Sequence, residues 1–215
     1  MKICGLTQEE DLAVAVDAGA DAVGFLVGVP SSPRNLTIER AKTLRSQVPV
    51  FVDSVVVTAP KSIEWLIEVC EKLKPSAIQI HGKEKLDSSE IHEKITGTRL
   101  IKTVYVTEDA LNKNVIDDLR SFDAVLLDSF SKGQYGGTGK VHDWTLSRQI
   151  KEAVAPVPVI LAGGLKPKNV KEAVLMVKPY AVDVASGVEA SPGVKDQGKV
   201  RAFVENAKQI KLHNN

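Results

Sequence analysis

Asp128 closes a hydrophobic run, Ala124-Val125-Leu126-Leu127, and opens onto a glycine-laden stretch, Gly133 and then Gly136-Gly137-Thr138-Gly139. A short apolar run between turn-formers is the pattern of a strand buried on both faces of a parallel sheet. Such sheets deliver the residue at each strand's C-terminal end to the face where ligands bind. Asp128 is therefore expected as a carboxylate presented to a ligand. The bare glycine amides beside it can approach an anion closely. Together they suit chemistry on a small phosphorylated molecule.

Other strand ends add to this set. Cys4-Gly5 ends the first apolar run, Ser31-Ser32-Pro33-Arg34 follows the second, and Gln79-Ile80-His81-Gly82 ends the fourth. From its position alone Cys4 reads first as inert core, and otherwise as a thiol near the amides of the helix that follows, and hence as a base or nucleophile. Asp128 could also cap a helix or pair with a lysine, Arg34 could be a surface arginine, and His81 a satisfied strand-end histidine. Taken together, Cys4 and Asp128 have the types of a base and an acid facing each other across one mouth. Ala162-Gly163-Gly164 and Ser186-Gly187 end the last two strands, where barrels hold phosphate with exposed amides and the start of a short extra helix. Read singly, these glycines could only make tight turns. Cys70 sits on an apolar helix face and reads as core. His92, His142 and His213 have no partner at metal-ligand spacing, so no metal is expected.

These residues need elements to position them. Apolar runs read as strands at Lys2–Cys4, Ala22–Val27, Val50–Val56, Ala77–Ile80, Leu100–Val104, Ala124–Leu127, Val157–Leu161 and Ala181–Val184. Helix-period stretches lie between them. Ile63, Leu66, Ile67, Cys70 and Leu73 mark one buried face, and Val200, Phe203, Val204, Ala207 and Ile210 another. Thr7-Gln8-Glu9-Glu10 has the form of a capping box, and Pro167 that of a first-turn proline. Eight strand–helix units with no linker predict an α/β chain, a single (β/α)8 barrel domain over residues 1–215. An open doubly wound sheet is the lesser option, since no dinucleotide fingerprint is present.

Composition narrows the function classes. Lys+Arg number 28 against 27 Asp+Glu, a formal net charge of +1, and no basic block advertises a nucleic-acid face. No stretch approaches the ~18 apolar residues that span a bilayer. The start turns polar within six residues, unlike a signal peptide. Two cysteines make neither a disulfide framework nor a metal cluster. A reducing, cytoplasmic location is expected, with no membrane or nucleic-acid partner. Oligomeric state stays open between monomer and homodimer.

The ordered series of motifs resembles the phosphoribosylanthranilate isomerase family. The resemblance is carried by Lys2-Ile3-Cys4-Gly5, by Gly19 to Phe25, by Ser32-Pro33-Arg34 and by Gln79-Ile80-His81-Gly82. It continues through Leu126-Leu127-Asp128-Ser129, Tyr135 to Gly139, Asp143-Trp144, Leu161 to Leu165, Pro167 with Asn169-Val170, and Val182-Asp183. Ser186-Gly187-Val188-Glu189, then Gly193 with Lys195-Asp196, complete it. It implies a cofactor-free Amadori rearrangement in tryptophan biosynthesis, converting N-(5-phosphoribosyl)anthranilate to 1-(2-carboxyphenylamino)-1-deoxyribulose 5-phosphate. By that resemblance Asp128 matches the general acid and Cys4 the general base. Arg34 would pair with the anthranilate carboxylate, His81 joins the substrate-binding set through its motif, and Gly163, Gly164, Ser186 and Gly187 would hold the phosphate. The chain departs from the family's usual pattern at Leu26 to Pro30, in the third strand, at His142 (usually phenylalanine) and at Ala185 (usually serine). The related sugar isomerase of histidine biosynthesis carries an aspartate where Cys4 stands here. A non-catalytic barrel would be expected to lack the acid or the base.

Overall fold

The computed structural model describes residues 1–82, 87–129 and 142–210. Eight parallel strands form its centre: β1 (Lys2–Cys4), β2 (Ala22–Val27), β3 (Asp53–Thr58), β4 (Ala77–Ile80), β5 (Arg99–Tyr105), β6 (Ala124–Asp128), β7 (Val159–Leu161) and β8 (Ala181–Val184). Each pairs with its sequence neighbour, and β8 and β2 both pair with β1. The sheet is closed. Helices follow the strands: α1 (Glu9–Asp17), α2 (Ile38–Arg45), α3 (Ile63–Leu73), α4 (Ser88–Lys94), α5 (Lys113–Leu119), α6 (Trp144–Val154), α7 (Val170–Val177) and α8 (Gln197–Lys208). This is the (β/α)8 barrel that the sequence predicts.

Both strand faces are buried because each packs a different core. Outward residues such as Ile3, Val23, Phe25, Ile78, Leu100, Val125 and Leu127 meet the helices in one large outer cluster. The opposite faces fill the barrel. Its lower part is apolar, with Val55, Ala77, Ile101, Leu126 and Ile160 in one cluster that small residues, Ala22, Ala124 and Ala181, close from below. Above it the interior turns polar, with Lys2, Gln79, Thr103 and Asp183 all buried. The inward positions at the strand tops then line the mouth.

Several sequence-based boundaries shift. The third strand runs over Asp53–Thr58, not Val50–Val56, and Val50 and Phe51 are 92% and 97% exposed in the connection that precedes it. The seventh strand begins at Val159, after Pro158. Thr7 does not cap α1: its hydroxyl donates to the Gly193 carbonyl at 2.6 Å, and the helix starts at Glu9 behind Gln8 without a side-chain cap. Pro167 lies in the turn ahead of α7, which begins at Val170. Asp143 and Asp196 are the N-caps of α6 and α8, accepting from the amides of Thr145 (2.8 Å) and Lys199 (2.9 Å). No helix among the described residues is long and apolar enough to cross a membrane.

Candidate active site

The C-terminal ends of the strands surround a cleft of about 680 Å³. Cys4, Arg34, His81, Asp128, Gly163, Gly164, Ser186 and Gly187 all line it. The predicted catalytic and substrate-binding set thus meets in one place. The glycines of the stretch after Ser129, Gly133 and Gly136 to Gly139, lie outside the described residues, as does His213.

Cys4 and Asp128 end β1 and β6, three strands apart around the barrel, and are 5% and 6% exposed. Burial raises the Asp128 carboxyl to about 6, against a hydrogen bond from the Ser129 amide (2.7 Å) that favours the charged form. That is well above the ordinary carboxylate range, so part of the population still holds its proton near pH 6. Burial also pushes the Cys4 thiol up from its ordinary value, with Lys2 pulling it back.

Neighbouring polar groups define the protonation of the rest of the floor. Lys2 donates to Gln79 Oε1, which fixes the amide so that its Nε2 is the donor. That Nε2 faces Thr103 Oγ1 at 3.3 Å and His81 Nε2 at 2.7 Å. His81 Nε2 is therefore the acceptor, which assigns the ring proton to Nδ1. Burial, with the charges of Lys2 and Lys102, lowers His81 to about 3, so the ring is neutral. It can orient a substrate by hydrogen bonding and cannot act as a fixed cation.

Arg34 is less free than a surface arginine. Its Nε and Nη2 bond Glu189 Oε1 and Oε2 at 2.7 and 2.6 Å, and Lys195 Nζ adds a third contact to Oε1 at 3.0 Å. All three residues are buried. A short antiparallel hairpin, Glu189–Ser191 with Val194–Lys195, sets Glu189 opposite Lys195. Two cations on one carboxylate leave one net positive charge at this side of the mouth. The guanidinium edge facing Glu189 is committed, so a ligand carboxylate must meet the Nη1 side.

The glycines at the ends of β7 and β8 form the remaining wall. Gly163 has φ +73°, and a Cβ there would lie 2.4 Å from Ser129 Oγ and 2.5 Å from the Ser129 amide nitrogen. Only glycine brings these two strand ends so close. Among the described residues, the Gly163 and Gly164 amides donate to no other backbone group. Asn169 secures the loop, donating to the Gly164 carbonyl (3.1 Å) and accepting from the Lys166 amide (2.7 Å). A single 3-10 turn over Ser186–Val188 stands where an extra helix is expected.

Sequence reasoning passed over Lys2, Gln79, Asp183, Glu189 and Lys195 as site residues. Strand alternation placed two of them, since Lys2 and Cys4 are two apart on a strand and Gln79 and His81 likewise, so each pair shares the inner face, but it gave no sign of the partners that bury the charged ones. His142, the unusual residue before Asp143-Trp144, reaches back to Ser129 Oγ through Nδ1 at 3.1 Å, and burial lowers it to about 4.

A closed parallel barrel with an acid, a thiol and an amide-rich wall at the strand tops defines a (β/α)8-barrel enzyme that works at that face. Comparison with known proteins gives the family. Residues 1–206 match the model of N-(5'-phosphoribosyl)anthranilate (PRA) isomerase. The N-(5'-phosphoribosyl)anthranilate isomerase of Methanocella arvoryzae is 44% identical, over 98% of this chain and 99% of its own. The crystal structure of phosphoribosyl anthranilate isomerase from Thermotoga maritima is 38% identical and superposes with a TM-score of 0.84, covering 97% of this chain and 98% of that one. A crystal structure of such an isomerase in complex with reduced 1-(o-carboxyphenylamino)-1-deoxyribulose 5-phosphate is 36% identical, with a TM-score of 0.81 over 97% and 98% of the two chains. The chain belongs to the PRA isomerase family; it is an isomerase of tryptophan biosynthesis.

Proposed function

We propose that this chain carries out the Amadori rearrangement of N-(5-phosphoribosyl)anthranilate with Asp128 as general acid and Cys4 as general base. The observation that carries this assignment is a carboxyl raised by burial to about 6, lining the same cleft as a strand-end thiol. Asp128 gives its proton to the ribose ring oxygen as the C1–O bond breaks, and the anilino nitrogen lone pair forms the C1=N iminium. The Cys4 thiolate takes the C2 proton, and that C–H electron pair becomes the C1=C2 bond of a neutral enolamine. Tautomerisation, with a proton gained at C1 and one lost from the 2-hydroxyl, yields the ketone. Asp128 ends ionised and Cys4 protonated, so the two exchange roles in charge without net gain of protons.

Binding follows from the walls. The Gly163–Gly164 loop and the Ser186–Gly187 turn line the cleft and are suited to the phosphate, since among the described residues the Gly163 and Gly164 amides donate to no other backbone group. The Nη1 side of Arg34, backed by Lys195, is suited to the anthranilate carboxylate as a charge-assisted contact. Neutral His81 lines the same cleft, which suits a hydroxyl of the opened sugar.

The test is decay of substrate fluorescence, with phosphoribosylanthranilate generated in situ. Cys4→Ser and Asp128→Asn are each expected to lose turnover by a factor on the order of 10² or more, with the fold retained. Arg34→Ala is expected to raise KM more than it lowers kcat. Normal turnover in either of the first two variants removes the assigned role.

A further inference from the structure

We infer that Lys2 is a positioning residue for the base: its buried ammonium stands beside the Cys4 sulfur and favours the thiolate that the reaction needs, and Asp183 is the counter-charge that limits how strongly. The inference rests on Cys4 being the base. Lys2 and Cys4 alternate on β1 around Ile3, which points outward into the helix-facing core at 0% exposure. Both their side chains therefore enter the barrel. Lys2 is 4% exposed, and an ammonium carries three donors that burial obliges it to satisfy. One goes to Gln79 Oε1 and one faces Asp183 Oδ1 at 3.3 Å, and the ammonium's charge also acts on the neighbouring Cys4 sulfur.

Gly24 on the neighbouring strand makes room for this meeting. A Cβ there would lie 2.7 Å from Cys4 Sγ and 2.8 Å from Lys2 Cε. Four charged groups act on the thiol: Lys2 from its own strand, Asp183 from β8, Lys195 from the hairpin, and Arg34 from the chain after β2. Lys195 and Arg34 are both bonded to Glu189. Lys2 is thus the cation whose charge reaches the sulfur most directly. Burial opposes its charged form, yet Asp183 and Cys4 more than offset that, so Lys2 stays an ammonium throughout the working range.

The experiment follows the thiol itself, without substrate. Cys70 is replaced by alanine, since burial pushes that thiol to about 11 and it would overlap. The β-carbon resonance of isotope-labelled cysteine is then titrated in this background, in Lys2→Met, in Lys2→Arg and in Asp183→Asn. Lys2→Met is expected to move the Cys4 midpoint up by about one pH unit or more, and Asp183→Asn to move it down. Lys2→Arg, which keeps the charge, should restore most of the original midpoint. In activity, Lys2→Met should lower kcat/KM about tenfold per unit of that shift, in kcat rather than KM. A folded Lys2→Met protein with an unmoved midpoint overturns the inference. If Lys2→Met does not fold, Asp183→Asn decides: a downward shift supports the inference, and an unchanged or raised midpoint overturns it. Turnover retained in Cys4→Ser would instead sink the catalytic reading, and the titration would still report what Lys2 does to the thiol.

Discussion

An aspartate proposed as a general acid has to resist ionising, and at the end of β6 burial favours this, raising Asp128 to about 6. Two consequences differ in sign from those of an ordinary aspartate. First, in the proposed mechanism the working form pairs a protonated Asp128 with an ionised Cys4, although the carboxyl titrates below the thiol. Between the two midpoints each rise in pH costs protonated acid and gains thiolate in equal measure. The kcat/KM profile should therefore rise through about pH 6, stay flat, and fall only above the ordinary thiol range. A profile that instead falls with rising pH through 6 would contradict this pairing. Second, a raised folded-state value means that ionising Asp128 works against the fold. Its favourable contribution is complete below the unfolded value of 3.8 and is lost as pH rises through about 6. Asp128→Asn should thus be more stable than the parent above that range, by an amount on the order of 3 kcal/mol, with no gain below about pH 4. Urea unfolding of both proteins at the two ends of that window measures it.

At the scale of elements, the hairpin after β8 exists to place a charge pair. Register sets Glu189 against Lys195, and both then close on Arg34, so one carboxylate holds two buried cations. Glu189→Gln leaves those cations facing each other in a poorly solvated site. It should cost about 3–5 kcal/mol in denaturant unfolding and should raise KM more than Arg34 alone would by its charge, because the guanidinium loses its orientation. The same elements show what a sequence discloses. Strand positions were legible because both faces are buried, one against helices and one inside the barrel, which leaves unbroken apolar runs. Val50 and Phe51 broke that rule: they are apolar and β-prone yet sit in the α2–β3 connection, where type says nothing of burial. The capping box failed for a different reason, since Thr7 spends its hydroxyl on Gly193, 186 residues away. Cys4, Asp128 and the glycine walls were legible as strand ends. Lys2, Asp183 and Glu189 were not, because a lone charged residue in a sequence carries no sign of the partner that lets it be buried. In the motif set, Asp143 and Asp196 turn out to cap helices, so even a specific motif mixes chemistry with scaffolding.

For the whole molecule, the barrel separates two ends by an apolar plug. Val55, Ala77, Ile101, Leu126 and Ile160 lie between the polar site above and the N-terminal strand ends below. Chemistry at the top should therefore be indifferent to what is exposed at the bottom. Phe51, 97% exposed ahead of β3, is the sharpest case. Phe51→Ser removes a large apolar surface that is not buried in this chain, so the stability of the isolated chain should change by no more than about 0.5 kcal/mol, with kcat and KM unaltered. Gly163→Ala makes the opposite comparison from the top face. The added methyl meets Ser129 Oγ and its backbone nitrogen at 2.4 and 2.5 Å and forces a left-handed backbone on alanine, so the glycine wall must move away from the end of β6. A single methyl there should cost more activity than the loss of a whole aromatic ring at the other end. Measuring both variants in one assay, with unfolding curves alongside, tests that separation. Equal losses in the two would mean that the plug transmits what the geometry says it insulates.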